Sequence, residues 1–273
     1  MSTSSSTEHL TAADAAAAPA PAVAPVALVT GAGRRIGRAI ALALAHAGWD
    51  IAVHYRSSAG EAQQLVDEIM ALGRRAVALQ ADLADAAAVR QLVPATLAAL
   101  GSLRCVVNNA SLFEYDSAAD FSVAMLDAHM HANLAAPILL AQALHGVTPA
   151  GQQGVVINLL DQKLYNLNPD FLSYTLSKAA LHTATTMLAQ QLAPTVRVVG
   201  VAPGITMVSG DQTEAGFAQA HRQTPLGRSS TPQDIADSVV YAATARAMTG
   251  TTLLVDGGQH LMPLPRDVMF LAQ

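Results

Sequence analysis

Seven short apolar segments alternate with helical patterns over residues 25–256, and this order constrains the fold more than any other feature. The segments are rich in Val, Ile and Leu, as strands buried on both faces of a parallel sheet are. We place them at 26–30, 51–55, 76–80, 104–108, 155–160, 196–202 and 251–255. Helical patterns lie between them at 35–47, 61–72, 85–99, 122–145, 173–193 and 232–246. The alternation predicts an α/β fold: a doubly wound, Rossmann-like, seven-stranded parallel sheet in a single domain over residues 25–273.

Three segments fall outside this regular alternation. Residues 1–24 are rich in Ser, then in Ala and Pro, and lack the pattern of a signal peptide, so we expect a disordered tail. Residues 204–231 follow a strand end and are interrupted by Gly and Pro, so we expect a mobile substrate lid. Residues 257–273 are apolar. We expect them to pack on a neighbouring subunit or over the active site, with a locally folded end as the alternative.

Composition excludes several classes of function. The net charge of −5 argues against a general surface for nucleic acid or anionic membrane. We find no apolar run of membrane-spanning length without polar interruption. The single cysteine, Cys105, cannot form an internal disulfide, and its apolar neighbours predict a buried side chain. This composition is typical of a reducing, cytoplasmic environment.

The turn after the first strand reads Gly-Ala-Gly-Arg-Arg-Ile-Gly over residues 31–37 and opens the first helix. Its glycines allow the backbone to approach a pyrophosphate, whose charge the helix N-terminus attracts. The predicted cofactor contacts here are Gly31, Arg34, Arg35, Ile36 and Gly37. A tight turn without a ligand is the alternative. The two arginines fit either a solvated helix start or, for Arg35, a contact with phosphate or substrate.

The end of the second strand indicates which dinucleotide binds. It reads His54, Tyr55, Arg56, Ser57 and Ser58, without the acidic residue that holds the ribose 2′-hydroxyl in NAD enzymes. A cation and hydroxyl groups suit a 2′-phosphate, so we predict NADPH. For His54 itself we favour a half-buried strand residue. Asp82 and Leu83 follow the third strand and are expected near the adenine, although Asp82 fits a helix N-cap equally well.

Tyr174 and Lys178 are four residues apart on a predicted helix and share one face. An ammonium group beside a phenol is expected to lower the phenol's pKa, which makes it a usable proton donor. Asp161 lies thirteen residues before Tyr174, at a position where such sites usually carry a serine. A carboxyl group there favours a substrate whose ring nitrogen must be protonated.

These pieces, taken in order, resemble the short-chain dehydrogenase/reductase family over residues 25–258. The matching pieces are Thr30-Gly31 to Gly37, Asn108-Asn109-Ala110, Asn133, Tyr174-x-x-x-Lys178 and Pro203-Gly204. The resemblance implies that Tyr174 donates the proton and that Lys178 binds the nicotinamide ribose. It also implies that Asn133 holds a water of a proton relay, and that Asn109, Ala110, Pro203 and Gly204 line the cofactor path.

Within the family the chain is similar to pteridine reductases and the related dihydromonapterin reductases. Arg35, the His54-Tyr55-Arg56-Ser57 strand end, Phe113 and Asp161 carry this similarity. It implies that Phe113 stacks on a flat pterin opposite the nicotinamide, with core packing as the alternative. Arg35 is expected to bind a pterin oxygen and Ser111 a phosphate or pterin edge, although Ser111 also fits a turn hydroxyl. Phe171 stands where some members carry a tyrosine, so we include it among the substrate contacts.

Three functional hypotheses follow. The first is an NADPH-dependent reductase of dihydropterins, with dihydrofolate as a further substrate, in which Asp161 and Tyr174 assist proton transfer. The second is an NADPH-dependent ketone or 3-oxoacyl reductase of the same family, which the carboxylate at 161 disfavours because it would repel an oxyanion. The third is a non-catalytic nucleotide-binding regulator, which the intact Tyr174, Lys178 and Asn133 set disfavours. By resemblance, we expect a homotetramer with contacts through the helices at 122–145 and 173–193.

Overall fold

The computed structural model describes residues 24–208, 213–222, 224–267 and residue 270. The predicted disordered tail therefore lies, apart from residue 24, outside the described residues. Seven strands are present: β1 (Val26–Val29), β2 (Asp50–Tyr55), β3 (Ala76–Gln80), β4 (Cys105–Asn108), β5 (Gly154–Leu159), β6 (Val196–Pro203) and β7 (Thr252–Val255). Each begins and ends within one residue of its predicted bounds, because buried parallel strands have the uninterrupted Val, Ile and Leu runs that the sequence shows.

Within the described ranges, eight α-helices connect or flank these strands. They are α1 (Arg35–His46), α2 (Ala59–Ala71), α3 (Ala86–Leu100), α4 (Val123–Met130), α5 (Ala136–Val147), α6 (Leu172–Leu192), α7 (Glu214–Arg222) and α8 (Pro232–Thr244). A π-helical turn, His131–Ala135, joins α4 to α5, and short 3₁₀ turns span Gln162–Tyr165 and Gln259–Leu261. The long helix predicted at 122–145 is thus two α-helices joined by a wider turn.

The strands form one parallel sheet in the order β3-β2-β1-β4-β5-β6-β7. The strand order reverses between β1 and β4, which pair through Ala27–Cys105, Leu28–Val106 and Val29–Val107. In doubly wound sheets, a crevice opens at this reversal, outside the carboxyl ends of the strands, and ligands bind there. The predicted fold class is confirmed, and the topology places the Gly-rich turn and the 109–113 loop at that crevice.

Alternate strand residues bury opposite faces of the sheet. One face packs Val29, Ile51 and Ile157 against α1, α2 and α8. The other packs Leu28, Val106 and Val156 against α3, α5 and α6. Cys105 is fully buried in the first layer, as predicted, and burial raises the pKa of its thiol to about 12. The two layers hold the carboxyl ends of the strands, and therefore the site, on a rigid base.

Two segments differ from the predictions. The region 204–231 was expected to be irregular but contains α7, whose last turn carries His221 and Arg222. The helical segment Val123–Val147 is, by length and composition, apolar enough to cross a membrane, with 28% of its most apolar window buried. This is weak evidence for a membrane span, because Asn133, in its middle, binds a loop of the site.

Candidate active site

The Gly-rich turn folds tightly because two of its glycines cannot be replaced without strain or clash. Gly31 has φ of +61°, a left-handed conformation that L-residues rarely adopt. A Cβ on Gly37 would lie 2.3 Å from the Gly31 carbonyl oxygen and 2.5 Å from Nδ2 of Asn109. The backbone of the turn therefore packs directly against the start of α1, and this leaves the N-terminus of that helix facing the crevice.

Side chains from β2 and β4 hold this turn in place. His54 is fully buried, not half-buried as expected from the sequence. Its Nδ1 accepts a 3.0 Å hydrogen bond from the Gly31 N–H, and its Nε2 lies 3.1 Å from the Ala81 oxygen. Asn109 Nδ2 donates to the carbonyl oxygens of Thr30 and Gly31 at 2.8 and 3.2 Å. His54 thus supports the cofactor turn from beneath, and burial lowers the pKa of its imidazole.

The 109–110 backbone is anchored to the same turn. Thr30 Oγ1 accepts hydrogen bonds from the Asn109 and Ala110 N–H groups at 2.9 and 3.0 Å and donates to the Val107 oxygen at 3.2 Å. A Cβ on Gly31 would touch Ala110 at 3.1 Å. Asn109 and Ala110 therefore lie where the cofactor path was predicted, at the carboxyl end of β4.

The predicted 2′-phosphate region lies at the end of β2. Arg56 and Ser57 are exposed there, and Ser58 precedes α2. Arg34 is exposed at the start of α1, with Nη1 3.6 Å from Oε1 of Glu61. Tyr55 packs partly against the core. The contacts of these residues with the cofactor stay predictions.

Asp82 and Leu83 differ from their predicted roles in part. Asp82 accepts a hydrogen bond from the Ala84 N–H at 2.9 Å, but the N-cap of α3 is Asp85, whose side chain accepts from Ala87. Leu83 is 9% exposed and belongs to the core. Both follow β3 at the carboxyl edge of the sheet, so a contact of this loop with adenine stays a prediction.

Asp161 and Tyr174 form a direct pair. The Tyr174 hydroxyl donates to Oδ2 of Asp161 at 2.7 Å, and the Lys163 N–H donates to Oδ1 at 2.8 Å. Lys178, one turn along α6, directs its Nζ to the Leu159 oxygen at 2.7 Å. The end of β5 therefore carries the carboxyl group and the acceptor for the lysine, and α6 carries the phenol and the ammonium.

Burial controls the protonation of this set. It raises the pKa of Asp161, against the hydrogen bonds from Lys163 and Tyr174, because the charged carboxylate is poorly solvated. It lowers the pKa of Lys178 to about 8. The pKa of Tyr174 lies well above its usual value through burial and then the neighbouring Asp161. The expectation that Lys178 lowers the phenol's pKa is therefore wrong for this arrangement, in which Tyr174 donates to a carboxyl group.

Asn133 fixes the loop that follows β4. Its Oδ1 accepts from the Leu112 N–H at 2.7 Å and from Ser111 Oγ at 3.2 Å. Its Nδ2 donates to the Leu112 oxygen at 2.9 Å and to Ser177 Oγ at 3.0 Å. These four bonds use the hydrogen-bonding capacity of the amide, so Asn133 positions the loop with Ser111 and Phe113. Its predicted role in a water relay remains untested.

Phe113 belongs to an aromatic cluster beside Tyr174. Its ring stacks on Phe171 with centroids 4.3 Å apart and meets the Tyr174 ring edge-on at 4.7 Å. Phe113 is 42% exposed, so part of its surface remains accessible for a flat ligand. Phe171 is only 3% exposed and stacks against Phe113, and its predicted contact with substrate stays a prediction. Its φ of +55° is strained for a bulky residue, as is that of Arg35 (+54°).

These groups surround one cavity of about 250 Å³. Its lining includes the predicted residues Arg35, Ile36, Asn109, Ser111, Phe113, Asp161, Tyr174, Lys178, Pro203 and Gly204. Arg35 also donates from Nη2 to the Val208 oxygen at 2.9 Å, which links the cofactor turn to the 204–208 segment. Gly204 packs against Asp256 so closely that a Cβ would lie 2.8 Å from its Cα.

Lys163 and Asp267 also line this cavity, and neither was predicted as a site residue because no sequence motif marks them. Asp267 lies 89 residues beyond Lys178, in an apolar C-terminal segment without a recognisable motif. The described part of that segment packs over the active site, which was one of the two predicted positions, and Phe270 stacks against Phe171 at 6.1 Å. Only the tertiary structure brings these residues together.

Comparisons with known proteins agree with this geometry. A family model described as enoyl-(acyl carrier protein) reductase matches residues 31–260. The crystal structure of FolM alternative dihydrofolate reductase 1 from Brucella canis, complexed with NADP, aligns with a TM-score of 0.85 and 39% identity, over 90% of this chain and 97% of that one. A short chain dehydrogenase from Burkholderia cenocepacia, in complex with NADP, gives a TM-score of 0.80 and 36% identity, over 86% and 97%.

The match to a relative with a different named activity is similarly long. The 3-oxoacyl-[acyl-carrier-protein] reductase of Synechocystis sp. is 35% identical over 240 residues, which cover 86% of this chain and 96% of that protein. The family model matches residues 31–260, a range that contains the Gly-rich turn, the Asn109 loop, Asp161 and the Tyr174–Lys178 pair. The chain therefore belongs to the short-chain dehydrogenase/reductase family.

Proposed function

We propose that this protein reduces a C=N bond of a pterin, converting a dihydropterin to a tetrahydropterin, with dihydrofolate as a further candidate substrate. At the coarser level, it is an NADPH-dependent oxidoreductase of the short-chain family, a class to which its NADP-complexed relatives also belong. The observation that carries the pterin proposal is the 2.7 Å bond between the Tyr174 hydroxyl and Asp161, a carboxyl group whose pKa burial raises. The name of the Brucella relative supports the same substrate class.

The residues present fit the cofactor at the β1–β4 crevice. The 31–37 turn offers backbone N–H groups at a helix N-terminus, and Arg34, Arg56, Ser57 and Ser58 offer contacts for a 2′-phosphate. In this proposal Lys178 holds the nicotinamide ribose. When bound, NADPH supplies the hydride that reaches the carbon of the substrate's C=N bond. Every other part of the reaction falls to side chains of this chain.

Asp161 and Tyr174 supply the proton that the adjacent nitrogen requires. A carboxyl group with a raised pKa keeps its proton to higher pH and can pass it, directly or through the Tyr174 hydroxyl, to a ring nitrogen. The nitrogen gains that proton as the neighbouring carbon gains hydride, so the C=N bond becomes HC–NH. Phe113, held by the Asn133-anchored loop, covers one face of a flat ring. Arg35 and Ser111 line the rim where polar groups of the pterin would lie.

The second candidate is a 3-oxoacyl or ketone reductase, which the Synechocystis relative favours. A ketone becomes an oxyanion as hydride arrives, and Asp161 would destabilise that charge wherever pH leaves its carboxyl group ionised. The two functions separate in an assay of NADPH consumption. We expect oxidation of NADPH with dihydrobiopterin, dihydromonapterin or dihydrofolate. Consumption only with ketones or oxoacyl thioesters would contradict the pterin proposal, and Tyr174→Phe is the control for turnover at this site.

We further propose a homotetramer in the cytoplasm, as the family resemblance suggests. Exposed apolar residues support association through the predicted helices: Val123 (65% exposed) on α4, and Leu176 (46%) and Met187 (62%) on α6. Light scattering of the purified protein at micromolar concentration tests this assembly, and a monomeric mass would contradict it.

A further inference from the structure

We propose that Asp267 is a second active-site carboxylate that binds the N–H edge of the substrate's aminopyrimidine ring, which leaves Asp161 for the proton step. This inference rests on the proposed pterin function and names the group that would recognise the substrate. It assigns a specificity role to the C-terminal segment. That segment is remote in sequence from the predicted site residues.

Asp267 borders the reaction site directly. It lines the same 250 Å³ cavity as Asp161, Tyr174 and Phe113, and its side chain is 19% exposed. Its charge contributes to the raised pKa of both Asp161 and Tyr174, although burial is the larger cause for each. A substrate held in this cavity beside Asp161 and Tyr174 would also border Asp267.

The structure holds Asp267 in this place with several contacts. Lys163, 4% exposed, lies with Nζ 3.4 Å from Asp267 Oδ2. The Asp267 N–H donates to Oδ2 of the buried Asp170 at 2.7 Å. Arg266 binds both oxygens of Asp170 through Nε, at 2.9 and 2.8 Å, and its guanidinium lies 4.9 Å from the Phe270 ring centroid. Arg266 and Asp267 are thus fastened to the loop that begins at Asp161.

The Lys163 ammonium is the ion-pair partner of the Asp267 carboxylate. Lys163 also donates to the Asp170 carbonyl oxygen and lies 5.3 Å from the Phe171 ring centroid, so its position is fixed independently of Asp267. A buried lysine that pairs with a carboxylate at a pocket wall gives a nearly neutral unit whose oxygens can still accept further hydrogen bonds.

A carboxylate at the wall of this cavity matches one edge of a pterin. Asp161 is engaged with the Lys163 N–H and the Tyr174 hydroxyl, as the proposed proton step requires. A pterin presents two adjacent donors, an exocyclic amino group and a ring N–H, which match the two oxygens of one carboxylate. A 3-oxoacyl substrate presents no such donor pair at its ketone. Asp267 therefore favours an aminopyrimidine over a ketone at this wall.

The test compares Asp267→Asn with the wild type on two ligands, 7,8-dihydropterin and 7,8-dihydrolumazine. In the lumazine a C=O group replaces the amino group, so a carboxylate disfavours it, whereas the amide of the variant matches its C=O and N–H pair. We expect kcat/KM of the variant to fall about 10- to 100-fold for the pterin, as for loss of a charge-assisted pair. The pterin-to-lumazine preference should fall by a similar factor.

Binding gives a readout that does not need turnover. Quenching of the fluorescence of pterin and lumazine on titration with the NADP-bound protein should show the same change of preference. Asp267→Glu, which keeps the charge, should retain the preference for pterin. Asp120→Asn removes an exposed carboxylate that lines no part of the cavity and serves as the matched control. The NADPH affinity of Asp267→Asn should match the wild type.

Two results would overturn the inference. If the wild type reduces dihydropterins and Asp267→Asn keeps the same pterin-to-lumazine preference, Asp267 does not recognise the substrate while the proposed function stands. If the wild type reduces oxoacyl thioesters and neither binds nor reduces pteridines, the proposed function fails and the role of Asp267 fails with it.

Discussion

Replacement of Asp161 by Asn tests the assignment of the proton step most closely. The amide nearly matches the carboxyl group in shape, and its oxygen can still accept from the Lys163 N–H, which now lies 2.8 Å from Oδ1. Its NH₂ group then faces the Tyr174 hydroxyl, where the carboxyl oxygen now accepts at 2.7 Å. The amide cannot act as an acid toward the phenol or a ring nitrogen. The variant therefore keeps the geometry of the site and loses its proton donor.

General acid catalysis of this kind contributes about 100- to 10,000-fold to a rate. We expect kcat for dihydropterin reduction to fall about 100- to 1,000-fold in Asp161→Asn, or ~3–4 kcal/mol in the barrier. Because burial raises the pKa of Asp161, its acid form persists above the usual carboxyl range and is lost as pH rises through the raised value. The wild-type rate should therefore decline across that range, and the variant should lack this decline.

The same shift predicts the effect on stability. A carboxyl group with a raised pKa in the folded state binds more protons than in the unfolded state between the two pKa values, so its contribution to stability falls as pH rises through them. Asp161→Asn removes this cost, and at neutral pH its unfolding free energy should equal or exceed that of the wild type. Steady-state kinetics, urea unfolding and the Asp120→Asn control provide the measurements. If the variant keeps more than about a third of the wild-type kcat, Asp161 is not the general acid.

Three further predictions concern the cofactor site and the lysine. Arg56→Asp should weaken NADPH binding far more than NADH binding in a fluorescence titration, and equal losses would contradict a 2′-phosphate contact. Gly37→Ala should abolish detectable NADPH binding, because its Cβ would lie 2.3 Å from the Gly31 oxygen; calorimetry showing wild-type affinity would exclude this tight turn. Lys178 has a pKa lowered to about 8, so the folded state binds fewer protons than the unfolded state between about 8 and 10.5. The stability of the wild type relative to Lys178→Met should rise by at most ~1.4 kcal/mol per pH unit in that window, and a difference that is independent of pH would contradict the shift.

The sheet could be predicted from the sequence because most of its strands are buried on both faces, with β3 and β7 only partly buried. The run at Val26 has no polar residue, and those at Cys105 and Val196 have one each, Asn108 and Arg197, so their limits follow from composition. The helix α7 was missed because glycine and proline around it are typical of loops. The π-helical turn at His131–Ala135 was missed because helical periodicity does not distinguish it from a continuous α-helix.

Within the site, local spacing was sufficient only where one element carries both partners. Tyr174 and Lys178 follow from helical spacing, and Asp161 from its distance to Tyr174. The role of His54 was underestimated, since its bond to the Gly31 N–H joins β2 to the turn that follows β1. The direction of the Tyr174 pKa depends on burial and on which partner its hydroxyl contacts. Asp267 enters through the folding of the C-terminal segment, for which the sequence has no periodic signal.

The proposed reduction of a pterin is best tested by one comparison of the wild-type protein. It sets kcat/KM for 7,8-dihydrobiopterin against kcat/KM for a 3-oxoacyl thioester, both with NADPH. If Asp161 and Tyr174 supply the proton to a pterin nitrogen, the value for the dihydropterin should be higher by at least about 100-fold, the lower range of general acid catalysis. A higher value for the thioester would contradict this proposal and would identify the protein as a carbonyl reductase in which Asp161 has a different role.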